Sequence, residues 1–205
     1  MIHYIKNLKI RLKLYILIGV ALLGMLIIRG MSFFLMGRMN DMTSDIAASW
    51  LPSVDVGSEL SATIYNIRLN ELEYLTADSD SKKETSLQYL QDGIKTMDAL
   101  LAAYGDMIDE EERDFYNNAS NLWTQYQAAE EEMMAFAKQG RYESARVILD
   151  GECEALFNSL NSDFDDIIDY NTKGSDEAAA ESASLYRTAT LTMAAVVIAI
   201  ILVGV

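Results

Sequence analysis

Arg68 and Glu71 are the residues of this chain whose types and spacing most directly promise chemistry. They lie in "NIRLNELEYL" (66–75), a stretch that reads as a helix. With Ile64 as zero and about 100° per residue, Leu60, Ile67, Leu72 and Leu75 fall within about 80° of it. Arg68 falls at about +40° and Glu71 at about −20°, inside the same apolar arc. A cation and an anion aimed at a core allow two readings. Spaced three apart, they can neutralise one another where a lone buried charge would be very costly. Alternatively, Arg68 offers its planar fork to a ligand carboxylate. Counting the same depth along the last helix brings it level with Asn158 and Asn161, which with Tyr65 complete a small polar pocket. The candidate ligand-binding residues are therefore Arg68, Tyr65, Glu71, Asn158 and Asn161, and both readings stay open.

Other chemistry is harder to find. "NSDFDDIIDYN" (161–171) holds Asp163, Asp165, Asp166 and Asp169, but a helix spreads them around its circumference. The EF-hand spacing with its glycine is missing, so no metal site is expected. Asp165 and Asp169 form no acid pair with a cleft signature and read as a solvated face. Cys153 is the only cysteine, which excludes an intrachain disulfide and a Cys-based zinc site; at a seam position it reads as core filler. His3, also solitary, lies in a basic tail. No βαβ pattern, phosphate-binding glycine loop or catalytic triad appears, so neither an enzyme nor a cofactor is expected.

The elements that position Arg68 follow from charge and hydropathy. Residues 1–37 carry five basic side chains and no acidic one, whereas 38–187 carry 11 basic against all 31 acidic ones, a net charge of −20. Such a surface disfavours nucleic acid. Residues 14–36 form an apolar run broken only by Arg29, long enough to cross a ~30 Å hydrocarbon core. No small-x-small cleavage site follows Ile28, so this run reads as an anchor rather than a removed signal. A second run fills 188–205, with Tyr186 and Arg187 suited to an interface. The basic tail, 1–13, places the N-terminus in the cytoplasm and 38–187 outside. With the second run reaching Val205, the chain reads as a piece of a longer protein or a short stand-alone one.

Between the runs, apolar residues recur every three or four positions. Examples are Leu60, Ile64, Ile67, Glu71, Tyr74; Leu90, Ile94, Met97, Leu101; Ala119, Leu122, Tyr126, Ala129, Met133; and Cys153, Phe157, Leu160, Phe164, Ile167. This is the seam of a left-handed helical bundle. The last seam fades into Asn171, Gly174 and Ala178, which predicts loose packing there. Ser81 with Glu84, and Asp109 with Glu112, fit capping boxes, and Gly140 fits a helix C′ position. Residues 142–149 predict a short helix, with Asp150-Gly151 a break after it. Pro52 is expected to kink or divide the first helix. Short connections make the helices antiparallel neighbours, so the expected fold is an all-α, up-down-up-down four-helix bundle continuous with two transmembrane helices.

"LKIRLKL", "WLPSV", "NIRLNELEYL", "MIDEEERDFYNNASNLWTQY" and "AKQGRYESARVILDGE", in this order and spacing, resemble the sensory half of bacterial chemoreceptors, the methyl-accepting chemotaxis proteins. The resemblance covers nearly the whole chain. It implies an extracytoplasmic, homodimeric sensor in the cell membrane that binds a small ligand, an amino acid or organic acid. It further implies that ligand displaces the last helix and so controls a cytoplasmic kinase module, which these 205 residues do not include. The same bundle also resembles sensors of histidine kinases and diguanylate cyclases. A ligand-free structural bundle is a different reading, disfavoured by charges in the seam.

Overall fold

The computed structural model of the chain describes residues 9–108 and 110–204. Its helices are α1 (Ile10–Asp45), α2 (Leu51–Thr76), α3 (Asp80–Met107), α4 (Arg113–Lys138), α5 (Tyr142–Ile148) and α6 (Glu154–Gly204). π-Helical turns, Ile46–Trp50 and Leu149–Cys153, lead into α2 and α6. The described residues contain no strand. Two compact units result, one over 47–175 and one from the described residues of 1–46 and 176–205.

Residues 47–175 form a four-helix bundle of α2, α3, α4 and the first part of α6. Pairs of touching residues set the directions. Ile67 packs on Gly93, and Ser86 donates to Glu73 at 3.5 Å, so α3 descends beside α2. Trp123 Nε1 donates to Asp98 at 2.7 Å and Tyr116 packs on Gly105, so α4 rises beside α3. Asn118 donates to Asp163 at 2.6 Å, and Ser61 to Asn161 at 2.9 Å, which places α6 antiparallel between α4 and α2. Up-down-up-down connectivity is what the chain forms. Leu60, Ile64, Ile67, Glu71 and Tyr74 all point inward, joined by Met97, Leu101, Tyr126, Met133, Leu160, Phe164 and Ile167. Leu72, at the edge of the expected arc, is instead exposed.

Local chemistry explains the ends. Gly140 takes φ 75°, its N–H bonds to Ala137 O at 2.9 Å, and Arg141 N–H bonds to Phe136 O at 3.0 Å. That is a Schellman ending, which a residue with a side chain would strain. The N-cap of α3 is Ser79, two residues before the expected Ser81, because Ser79 is already extended and accepts from Lys82 N–H at 3.4 Å. Asp78 also pairs with Lys82 at 2.9 Å, holding the extra turn. Pro52 does not divide the helix. The turn just before it widens to a π-helix and Pro52 enters α2 at a first-turn position, where a missing N–H costs little. Nor is Asp150-Gly151 a break, since both sit inside the second π-helical turn.

The expected loose packing at the end of the last seam is also corrected. Asn171 is 0 % exposed, and its Nδ2 donates to Glu112 Oε1 at 2.7 Å and to Ile167 O at 2.9 Å. Glu112 is therefore no surface cap. It is buried, also accepts from Tyr104 OH at 3.0 Å, and locks the α3–α4 connection to α6. Asp109, its expected capping partner, lies outside the described residues, as do His3, Lys6 and Val205. Gly174 lacks a side chain because the indole of Trp50 lies across it, with Tyr170 tilted against the same ring at 5.9 Å.

In the second unit, Gly24 lets α1 approach Ile200 and Val196 of α6 closely. Ser32 reaches Met193 Sδ at 3.7 Å, and Arg38 pairs with Glu181 at 3.4 Å. Both helices are long and apolar enough to cross a membrane.

The two glycines of the last helical run separate packing from propensity. A Cβ on Gly174 would stand 2.5 Å from Trp50 Cζ3, whereas one on Gly151 meets nothing within 4 Å. Gly174→Ala should therefore destabilise, because overpacking costs about 1–3 kcal/mol against about 0.5–1 kcal/mol of helix propensity gained. Gly151→Ala should be neutral or stabilising by up to about 1 kcal/mol. Thermal melts of the full chain followed by circular dichroism check both, and a melting point raised by Gly174→Ala would contradict the packing assignment.

Candidate functional site

Glu71 is 0 % exposed in the middle of the bundle. It got there by occupying a core position of the α2 seam, where Leu or Ile would otherwise stand. Its Oε2 accepts from Tyr126 OH, across the core on α4, at 2.7 Å. Tyr126 is held for this by stacking on Trp123, with ring centroids 5.7 Å apart. Arg68 Nη1 lies 3.6 Å from the same Oε2, an ion pair but too long for a hydrogen bond. Arg68 Nη2 reaches Glu154 Oε2, on α6, at 3.9 Å. Glu71 Oε1 and Arg68 Nη1 are buried with no hydrogen-bond partner among the described residues.

These surroundings set the charges. Burial pushes the Glu71 carboxyl up to about 7, against the pull of the Tyr126 hydroxyl and the Arg68 cation. Burial, and then the neighbouring carboxylate, hold the Tyr126 phenol well above its ordinary value. On α4, Glu130 is only 8 % exposed and burial raises its carboxyl to about 7 as well. Cys153, at the end of the second π-helical turn, is buried and its thiol is pushed up to about 12, chiefly by burial. That thiol is no nucleophile at neutral pH.

The seam between α2 and α6 presents three cross-pairs in order. Ser61 meets Asn161, Tyr65 meets Phe157 edge-on at 5.0 Å between centroids, and Arg68 meets Glu154. The structure thus brings Arg68, Glu71 and Tyr65 together, while Asn161 lies on the same seam opposite Ser61, two turns or about 10 Å along from Arg68. Asn158 is not with them. One residue past Phe157, it turns by about 100° toward α4. There it lines an open cleft with Asn118, Leu122, Ser159, Ser162 and Asp163. Burial raises the Asp163 carboxyl in that cleft, opposed by the hydrogen bond from Asn118.

Sequence reading missed Tyr126 as a partner, Glu130 and Glu154. Tyr126 was legible as a seam aromatic, though not as the donor to Glu71. Glu130 follows the seam residue Ala129 and carries no signal of its own in the sequence. It is buried because α4 has a second apolar face, Met134 and Ala137, against the short helix α5.

Residues 7–186 match the four-helix-bundle sensory module for signal transduction. The chain belongs to that family. It is also 23 % identical over 140 residues to a protein of Acetivibrio thermocellus described as a sensory transducer. That alignment covers 68 % of this chain and 25 % of the relative, so the sensory module spans about a quarter of the relative's length.

Within the sensory module, Arg68 stabilises only the ionised form of Glu71. The cost of Arg68→Ala should therefore grow with pH. It should be larger at about pH 8 than at about pH 5.5 by at least about 1 kcal/mol, since a lone buried carboxylate is then left behind. Arg68→Met/Glu71→Leu should restore the loss. Chemical melts at the two pH values measure it, and an equal cost at both would show that Arg68 does not act through Glu71.

Proposed function

We propose that this module is the sensing half of a chemotaxis-type transmembrane receptor. Residues 14–36 and 188–205 are its spans, the basic tail lies in the cytoplasm, and the bundle of 38–187 faces outside the cell membrane. The module has no catalytic role. It binds a small anion, an amino acid or organic acid, at Arg68, with Glu71 and Tyr65 beside it and Asn161 two turns further along the seam. Asn158 contributes only through the neighbouring cleft.

The observation that carries this reading is the state of Arg68. Its side chain is 12 % exposed at the α2–α6 seam, and its Nη1 is held by a long ion pair instead of a hydrogen bond. A guanidinium so placed has donors to spare, and a carboxylate can take them as a bidentate pair. The seam also includes α6, the helix that runs on to Gly204. A ligand that binds one position of α6 better than another shifts that helix, and ångström-scale displacements at helix interfaces are a common form of signal. The output module that reads it, a kinase-control hairpin or a kinase or cyclase, belongs to the remainder of the receptor.

Tyr65, Leu69 and Leu72 leave an apolar stripe at heptad spacing exposed along α2. A second copy of the chain fits that stripe, with the two α2 helices side by side. Ligand that bridges or orders this pairing favours the dimer by linkage.

The site is tested by thermal shift of the full chain in detergent micelles against α-amino acids and small mono- and dicarboxylates. One or more should raise the melting point of the native chain and leave Arg68→Ala unmoved while its helix content persists. Stabilisation that survives in Arg68→Ala would move the site elsewhere. Topology is tested in a Cys153→Ser background with cysteines at Ser79 and Asn7. An impermeant thiol reagent added to intact cells should label the first and spare the second; equal labelling of both would overturn the orientation.

A further inference from the structure

Two acids approach the Arg68 guanidinium, one from its own helix and one from α6, and they differ in how firmly they are held. Glu71 Oε2 stands 3.6 Å from Nη1, on a side chain that is 0 % exposed and bonded to Tyr126 OH at 2.7 Å. Turning Glu71 away would move it through packed core side chains and forfeit that buried hydrogen bond. Glu154 Oε2 stands 3.9 Å from Nη2, on a side chain that is 55 % exposed. Among the described residues it accepts no hydrogen bond, so the long ion pair is its one polar contact. A half-exposed pair at that distance contributes little, and Glu154 can swing into water at small cost.

A ligand carboxylate arriving at Arg68 meets a constraint of charge. It would be the third acid around a single cation, and like charges a few ångströms apart disfavour one another. One of the two residents must leave, and only Glu154 is free to do so. We propose that Glu154 is a built-in stand-in for the ligand carboxylate, occupying Arg68 while the site is empty and displaced when ligand binds. This rests on the reading of Arg68 as the anion site and adds what that site gives up on binding.

The displacement sets the sense of the signal. Glu154 is the first residue of α6, so in the empty state its side chain ties the start of that helix to α2. The other two cross-pairs of the seam, Tyr65 on Phe157 and Ser61 on Asn161, do not involve Arg68 and persist when Glu154 is displaced. Ligand therefore acts on α6 by releasing its start, not by clamping it harder to α2. The two states differ in a contact the ligand itself replaces, which is the differential interaction that a population shift requires. Displacement also weakens apparent affinity, because only the fraction of molecules with Arg68 vacated can bind. For a pair this exposed the penalty is roughly 1.5- to fivefold.

The test uses the full chain in detergent micelles, with potassium acetate as the carboxylate probe against potassium chloride at equal ionic strength. Glu154→Gln keeps the side chain's size and removes the competitor, while Glu152→Gln neutralises an exposed acid nearby that has no ion pair with Arg68. The acetate needed for a fixed rise in melting point should fall about two- to fivefold in Glu154→Gln and stay unchanged in Glu152→Gln. Without acetate, amide hydrogen exchange over residues 154–160 should run about two- to fivefold faster in Glu154→Gln than in the native chain. Saturating acetate should bring the native chain to that rate and leave Glu154→Gln where it is. Equal acetate requirements in the native chain and Glu154→Gln, or an equal gain in Glu152→Gln, would overturn the displacement and leave Arg68 standing as the site. Hydrogen exchange that is the same in Glu154→Gln and the native chain would do so too, because Glu154 would then tie nothing. Acetate that stabilises neither chain, or stabilises Arg68→Ala as well as the native chain, would remove the Arg68 site itself and the displacement with it.

Discussion

The carboxylate of Glu71 in the bundle core is the constraint around which its neighbours are arranged. An ionised group in that position carries a desolvation penalty of several kcal/mol, and mutual attraction with Arg68 at 3.6 Å offsets only part of it. The rest falls to Tyr126, whose hydroxyl donates at 2.7 Å from the diagonally opposite helix. That bond requires α4 to present an aromatic ring of the right length, and Trp123 to stack behind it. A leucine at position 71 would have been simpler and, by the usual behaviour of buried pairs, as stable or more so. Keeping the acid trades stability for something a spacer does not need: a charge whose state depends on what reaches it.

The seams were legible because burial follows helical periodicity. Leu60, Ile64, Ile67, Glu71 and Tyr74 were identified as one face, and all five are buried. Connection lengths then left little choice of topology, and Gly140 announced its own conformation. What sequence could not supply was the response of the backbone to conflict. Pro52 and Gly151 both read as interruptions, yet each is absorbed where an extra residue is accommodated as a π-helical turn. Periodicity marks where a helix is stressed without saying whether it breaks or bulges.

Polar residues at seam positions were misread for a related reason. Asn171 and Gly174 looked like a packing defect because neither is apolar. Their partners, Glu112 and Trp50, are remote in sequence, and only tertiary structure shows that one supplies a carboxylate and the other an indole. Asn158 was misplaced by two errors. Depth along α6 was off by about one to two turns, since Arg68 meets Glu154 and Asn161 meets Ser61. A rotation of about 100° per residue also separates Asn158 from Phe157 and sends it to α4. Level is a weaker statement than face.

Within the bundle, α6 is held at two places of different character. At its start, Arg68 of α2, paired with Glu71, reaches Glu154, a polar contact whose strength depends on ionisation. From 17 to 20 residues on, about 25–30 Å at helical rise, Asn171 is bonded to a buried carboxyl and Gly174 is pinned under Trp50. The first contact is adjustable and the second is less so, since breaking Asn171 from Glu112 would forfeit a buried hydrogen bond beside the one from Tyr104. A helix fixed at one level and adjustable at the other cannot slide freely along its axis. Changes at the Arg68 level must instead reach the rest of α6 as a tilt, or as a stepwise loss of the Glu112 contact, and the steep cost of that loss favours two positions over a continuum.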